Sequence, residues 1–132
     1  MTHEELVACA REAQSFAYAP YSGFPVGAAL LCADGSVYTG CNVENAAFGA
    51  ALCAERVALG KAVSEGKRAF RALAVIAKGN AFCTPCGTCR QVLWEFSKDL
   101  LVLCANERGN FAAYPLAELL PHGFGGEHLT HQ

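Results

Sequence analysis

At 132 residues the chain has the length of one ordinary domain, and 53% hydrophobic against 17% charged residues excludes a disordered or heavily solvated polypeptide. Ten Lys and Arg face twelve Asp and Glu, and no segment gathers the basic residues into a patch, which disfavours a nucleic-acid polymer as substrate. No apolar run reaches the length of a membrane span, and Met1-Thr2-His3-Glu4-Glu5 has neither the basic start nor the apolar stretch of a signal peptide. A soluble, cytoplasmic protein without a membrane partner is expected, in which eight Cys point to metal binding or catalysis before disulfides.

Taken in order, Thr2-x-x-Glu5 has the form of a capping box, and Leu6, Ala10, Ala13 and Ala17 recur at helical spacing, predicting a first helix to about Tyr18 before Pro20. Val26 to Cys32 and Val37 to Asn42 read as two strands joined by a turn at Asp34-Gly35. Leu52 to Val63 suits a second helix, and Leu73 to Ala77 a short buried strand. A third helix is expected over Cys89 to Phe96, then a strand over Leu100 to Ala105. A turn at Gly109-Asn110 leads to a short fifth strand, and a last helix covers Leu116 to Leu120. Neither repeats nor linkers interrupt this order, so residues 1–132 are expected to form a single domain. The opening hairpin followed by alternating helices and strands predicts a three-layer α/β/α sandwich around a mixed five-stranded sheet.

Two stretches carry chemistry: Cys53-Ala54-Glu55-Arg56 and Pro85-Cys86-Gly87-Thr88-Cys89. An isolated Cys-x-x-Cys reads equally as a redox motif, a metal site or chance. The upstream Cys-x-Glu sharpens it, because Cys53, Cys86 and Cys89 would give three protein ligands and leave one tetrahedral position open, as at a catalytic zinc. Cysteines at helix N-termini also favour thiolate over thiol. The combination has the form used by zinc-dependent nucleobase deaminases. Glu55, two residues from Cys53, would then move protons without being a ligand; without the cysteines it would read as an ordinary acid in a helix's first turn. Three thiolates over-neutralise Zn²⁺, and Arg56 could donate to their sulfurs and offset the excess; its plain alternative is a solvated helix Arg. Asn42 and Glu44, two apart on an extended segment, face one way and suit a ribose hydroxyl, or else form a polar strand end. Phe24 reads by default as a core aromatic.

Beyond these motifs the chain resembles the small homotetrameric cytidine deaminases over nearly its whole length. The resemblance rests on Phe24-Pro25-Val26-Gly27-Ala28, Asn42-Val43-Glu44-Asn45-Ala46, Cys53-Ala54-Glu55-Arg56, Pro85 to Gln91 and Leu119 to Phe124. It implies the cytidine deaminase fold, one zinc per chain, and hydrolysis of cytidine and deoxycytidine to uridine and deoxyuridine in pyrimidine salvage. By the same resemblance Asn42 and Glu44 read the 3′-hydroxyl, Phe24 stacks on the base, and the backbone at Ala54 and Thr84 meets the pyrimidine edge. Phe124 would close over the pyrimidine of a neighbouring subunit, making the site composite in a homotetramer. Phe48 departs from the pattern, since the family commonly has a sugar-contacting Tyr there.

The remaining cysteines (Cys9, Cys32, Cys41, Cys83 and Cys104) read as structural, with Cys83 close to the motif. His122 and His128 read as surface residues, and His131 with them crowds the C-terminus. Three rival readings remain: a related deaminase of another amino-bearing substrate such as blasticidin S, a non-catalytic zinc protein with Cys83 as fourth ligand, and a thiol-redox module.

Overall fold

The computed structural model describes residues 1–129; His131 lies outside them. Its elements are α1 (His3–Gln14), β1 (Val26–Cys32), β2 (Val37–Cys41), α2 (Ala54–Ser64), β3 (Phe70–Ala77), α3 (Gly87–Phe96), β4 (Leu101–Ala105), β5 (Phe111–Pro115) and α4 (Leu116–Leu119). Single 3₁₀ turns occur at Phe48–Ala50 and Gly126–His128. The expected capping box starts α1: the Glu5 N–H donates to Thr2 Oγ1 at 3.1 Å, and the Thr2 N–H donates to Glu5 Oε1 at 2.7 Å.

The five strands form one sheet in the order β2-β1-β3-β4-β5, antiparallel throughout except for the parallel pair β3–β4. A parallel pair cannot be closed by a tight turn, and α3 supplies the crossover. Alternation along the strands then sorts the core into two clusters. Ala28, Leu30, Leu73, Val75, Val102 and Cys104 pack with Ala58, Leu59, Leu93 and Leu116 of α2, α3 and α4. Ala29, Ala74, Ile76 and Leu103 point the other way and are covered by Leu6, Val7 and Ala10 of α1. The sheet is thus sandwiched between helical layers, as the element order predicts.

Two glycines set how closely the helices approach. A Cβ at Gly27 would lie 2.0 Å from the Ala10 carbonyl oxygen of α1. On the opposite face, a Cβ at Gly40 would lie 2.5 Å from the Ala54 oxygen and 2.6 Å from the Ala58 nitrogen. Both helices therefore rest on the sheet through bare backbone, a distance no side chain would permit.

Four element boundaries differ from the expectation by two residues or more, and three of these have a visible long-range cause. α1 ends at Gln14 rather than Tyr18, because Tyr18 joins Val43 in an isolated parallel bridge. Its N–H donates to the Asn42 carbonyl at 2.9 Å, and its own carbonyl accepts from Glu44 at 2.8 Å. α2 begins at Ala54 rather than Leu52, because Leu52 pairs with Val43 from the other side through two 2.9 Å backbone bonds. β3 starts at Phe70 rather than Leu73, since Phe70 pairs with Cys32 across a register irregularity in β1. α3 starts at Gly87 rather than Cys89, with Cys86 as its N-cap. No helix among the described residues is long and apolar enough to cross a membrane.

Candidate metal centre and active site

Cys53 and Cys86 each occupy the N-cap of a helix, α2 and α3, with extended backbone angles that turn an arriving chain into its first helical turn. At this position an oxygen side chain would normally satisfy the free N–H groups. The Cys86 sulfur accepts from the Cys89 N–H at 3.5 Å, whereas Cys53 makes no capping bond. Its sulfur turns instead to the other helix, 3.9 Å from that of Cys86.

Cys89 sits three residues into α3 and completes the group: the three sulfurs lie within 4.8 Å of one another. A tetrahedral zinc with bonds of about 2.3 Å separates its sulfurs by about 3.8 Å, so this donor set fits a Zn²⁺ with a fourth position left over. The proton balance fits as well. The Cys89 thiol donates to Cys53, which lowers the Cys53 pKa, with further help from Arg56. Cys89 is pushed up correspondingly, by that same bond and by burial. One thiolate is thus already favoured, and a metal held by all three sulfurs would displace the proton shared with it together with any other thiol proton of the cluster. Cys83 behaves differently: burial pushes its thiol up to about 12, and it is no member of the sulfur cluster.

Glu55 follows one residue into α2 and is 4% exposed, the only buried carboxyl side chain among the described residues. Burial raises its pKa to about 7, with the Cys53 charge adding to the shift. Arg56 Nη2 donates to the Cys53 sulfur at 3.4 Å, and that bond is the main reason the guanidinium holds its proton more tightly than usual. The Arg56 Nε is buried with no partner among the described residues.

Above these groups opens a cleft of about 540 Å³, within the range of small-molecule sites. It is lined by Cys53, Ala54, Glu55, Arg56 and Cys86 at its floor, with Phe24, Asn42, Glu44, Phe48, Cys83 and Thr84 around them. Nearly every residue singled out from the sequence is therefore brought together. Phe24 is 45% exposed, which removes its reading as a core aromatic, and Phe48 is 77% exposed. Phe124 is the exception: it does not line this cleft, and it projects from the C-terminal segment half exposed.

The polar pair at the rim carries structural duties that its spacing alone does not reveal. The Asn42 side chain bridges the chain before β1, accepting from the Val26 N–H and donating to the Phe24 carbonyl, both at 2.9 Å. Glu44 accepts from the Tyr21 and Ser22 N–H groups at 3.0 Å each and from the Ser22 hydroxyl. These bonds keep its carboxyl below the ordinary value. Ser22 holds a cleft-lining carboxyl in place and was not legible as such, because it acts through a contact distant in sequence. His128 is exposed, as expected, yet its ring stacks on Phe124 at 4.9 Å.

Residues 1–105 match the family model described as the cytidine and deoxycytidylate deaminase zinc-binding region. The chain is 48% identical over 132 residues to a cytidine deaminase of Sporosarcina psychrophila, covering 99% of this chain and 97% of that protein. It is 46% identical over 131 residues to a cytidine deaminase of Halalkalibacterium halodurans, covering 98% and 99%. The solved structure of cytidine deaminase from Burkholderia pseudomallei superimposes with a TM-score of 0.91 at 46% identity, covering 94% of this chain and 100% of that one. Sulfur cluster, cleft and whole-chain similarity agree: the chain belongs to the zinc-binding cytidine and deoxycytidylate deaminase family.

Proposed function

We propose that the protein is a zinc-dependent hydrolase that deaminates cytidine and deoxycytidine to uridine and deoxyuridine with release of ammonia. The observation that carries this reading is the buried Glu55 beside three convergent cysteine sulfurs at the floor of a nucleoside-sized cleft. Cys53, Cys86 and Cys89 would hold the zinc, which would supply a water acidic enough to yield hydroxide near neutral pH. Glu55 accepts the water's proton and passes it to the pyrimidine N3, which makes C4 electrophilic. Once hydroxide has added at C4, Glu55 takes the proton of the new C4 hydroxyl and delivers it to the amine as the C4–N bond breaks and ammonia leaves, base and acid in turn, a task suited to a carboxyl whose pKa burial has raised to about 7. Arg56 draws charge from the Cys53 sulfur.

Glu44 keeps acceptor capacity for a ribose hydroxyl, and Asn42 fixes the stretch that presents Phe24 to the base. Ala54 and Thr84 line the cleft, and their backbone would meet the pyrimidine edge. Phe48 brings an apolar ring to the sugar end, without a hydroxyl to offer. Because Phe124 stands apart from its own chain's cleft, we assign it to the cleft of a neighbouring copy in a homotetramer, within a single-domain, cytoplasmic salvage enzyme. Folded, zinc-loaded monomers obtained by dilution should then be inactive, as sedimentation paired with an activity assay would reveal.

Ammonia release across a panel of nucleosides, nucleotides, free bases and blasticidin S tests the reaction. Cytidine and deoxycytidine should turn over and nucleotides should not, since no basic pocket lines the cleft beyond Arg56. Glu55→Ala should keep zinc and fold while kcat falls by at least about 10²–10⁴-fold. A variant retaining near-parental kcat would remove Glu55 from the mechanism.

A further inference from the structure

The motif that supplies Cys86 and Cys89 continues into Arg90 and Gln91, and these two side chains bond to the C-terminal segment. Gln91 Nε2 donates to the Phe124 carbonyl at 2.7 Å, and the Phe124 N–H donates to Gln91 Oε1 at 3.0 Å. A side-chain amide here pairs with both polar backbone groups of one residue, as a neighbouring strand would. Next to it, Arg90 Nη1 donates to the Leu119 carbonyl at 2.9 Å, while its Nε donates to the Pro85 carbonyl at 2.8 Å. Between these fastenings Gly123 lies on the Trp94 ring so closely that a Cβ would come within 2.4 Å of Cδ2. The backbone around Phe124 is therefore tied to α3, while its ring stays 54% exposed, stacked against His128 at 4.9 Å and 18°.

The segment needs such a tie. Gly123, Gly125 and Gly126 surround Phe124, and glycine backbone loses more freedom on ordering than any other. An aromatic that holds its binding geometry only part of the time contributes affinity only in that proportion. We propose that Gln91 is a positioning residue: its amide locks Phe124 onto the helix that bears Cys86 and Cys89, and thereby sets nucleoside affinity. The claim rests on the assignment of Phe124 to the pyrimidine, and it ties ring and metal ligands to one rigid helix.

The test uses the zinc-loaded assembled enzyme with Gln91→Leu, Gln91→Glu, Phe124→Ala and the double variant Gln91→Leu/Phe124→Ala. Steady-state kinetics on cytidine and equilibrium binding of uridine are read beside the emission of Trp94, the only tryptophan. Gln91→Leu should raise KM and weaken uridine by about two- to tenfold, the worth of one stacking contact, with kcat unchanged. It should also shift Trp94 emission as the segment lifts from the ring. Gln91→Glu, which sets a carboxylate against the Phe124 carbonyl, should move both readouts the same way. In the Phe124→Ala background the Gln91→Leu change should add nothing to KM, because the two act as one unit. A parental KM in both Gln91 variants, or a KM increase that persists undiminished without Phe124, overturns the proposal. If Phe124→Ala itself leaves KM unchanged while Gln91→Leu still shifts Trp94 emission, the clamp stands but the pyrimidine assignment fails, and the kinetic proposal falls with it.

Discussion

The two faces of the sheet are built from similar strand residues and do different work. On one face α1 lays Leu6, Val7, Ala10 and Ala13 over the sheet, and its charged side chains are exposed. On the other, α2 and α3 pack as tightly, yet their first turns bring together three sulfurs, a buried carboxyl and a guanidinium. The first face satisfies packing alone. The second places chemistry where helix N-termini leave unpaired N–H groups and a favourable field for anions. Stability and reactivity are thus divided by a sheet one residue thick, and single substitutions should fall cleanly on one side or the other.

The largest expected effect lies at the sulfur cluster. Cys86→Ser should lose zinc and turnover together, and full zinc occupancy by metal analysis would dissolve the distinction between the two faces. Arg56→Gln is milder: coordination remains, and zinc affinity or turnover should drop about 10–100-fold. Unchanged values of both would return Arg56 to packing and shrink the reactive region to cysteines and Glu55. Leu6→Ala, on the quiet face, should cost about 2–5 kcal/mol of stability by chemical denaturation. It should leave kcat of the folded protein at the parental value, and a kcat lowered in proportion to stability would mean that the sheet transmits what happens beneath α1.

How legible each face is in the sequence follows from the same division. α1 was readable from Thr2-x-x-Glu5 and the spacing of Leu6, Ala10 and Ala13, because burial against one surface imposes a period. The reactive face was readable only as motifs: Cys53-x-Glu55 and Cys86-x-x-Cys89 name their chemistry through residue type, whatever the periodicity. What escaped both signals was held by distant partners. Tyr18, Val43 and Leu52 meet through isolated bridges that no local pattern announces, so α1 was expected to run too long and α2 to start too early. Glu44 was legible as a polar group that would suit a sugar hydroxyl, while its anchoring bonds to Tyr21 and Ser22 depend on a loop whose path only the fold decides.

Gly40 shows where the accuracy of this enzyme is kept. A methyl group there would collide with the backbone of Ala54 and Ala58 and lift the first turn of α2, Glu55 included, by about 1 Å, beyond the roughly 0.5 Å that a prearranged reactive constellation tolerates. The clearance between strand and helix acts as a machinist's shim of zero thickness. Reactive groups would all remain present after such a change, correctly folded and correctly charged, and still be out of alignment. On the proposed mechanism, a residue with no side chain, touching none of the sulfurs, therefore governs the reaction as strictly as the carboxyl it positions.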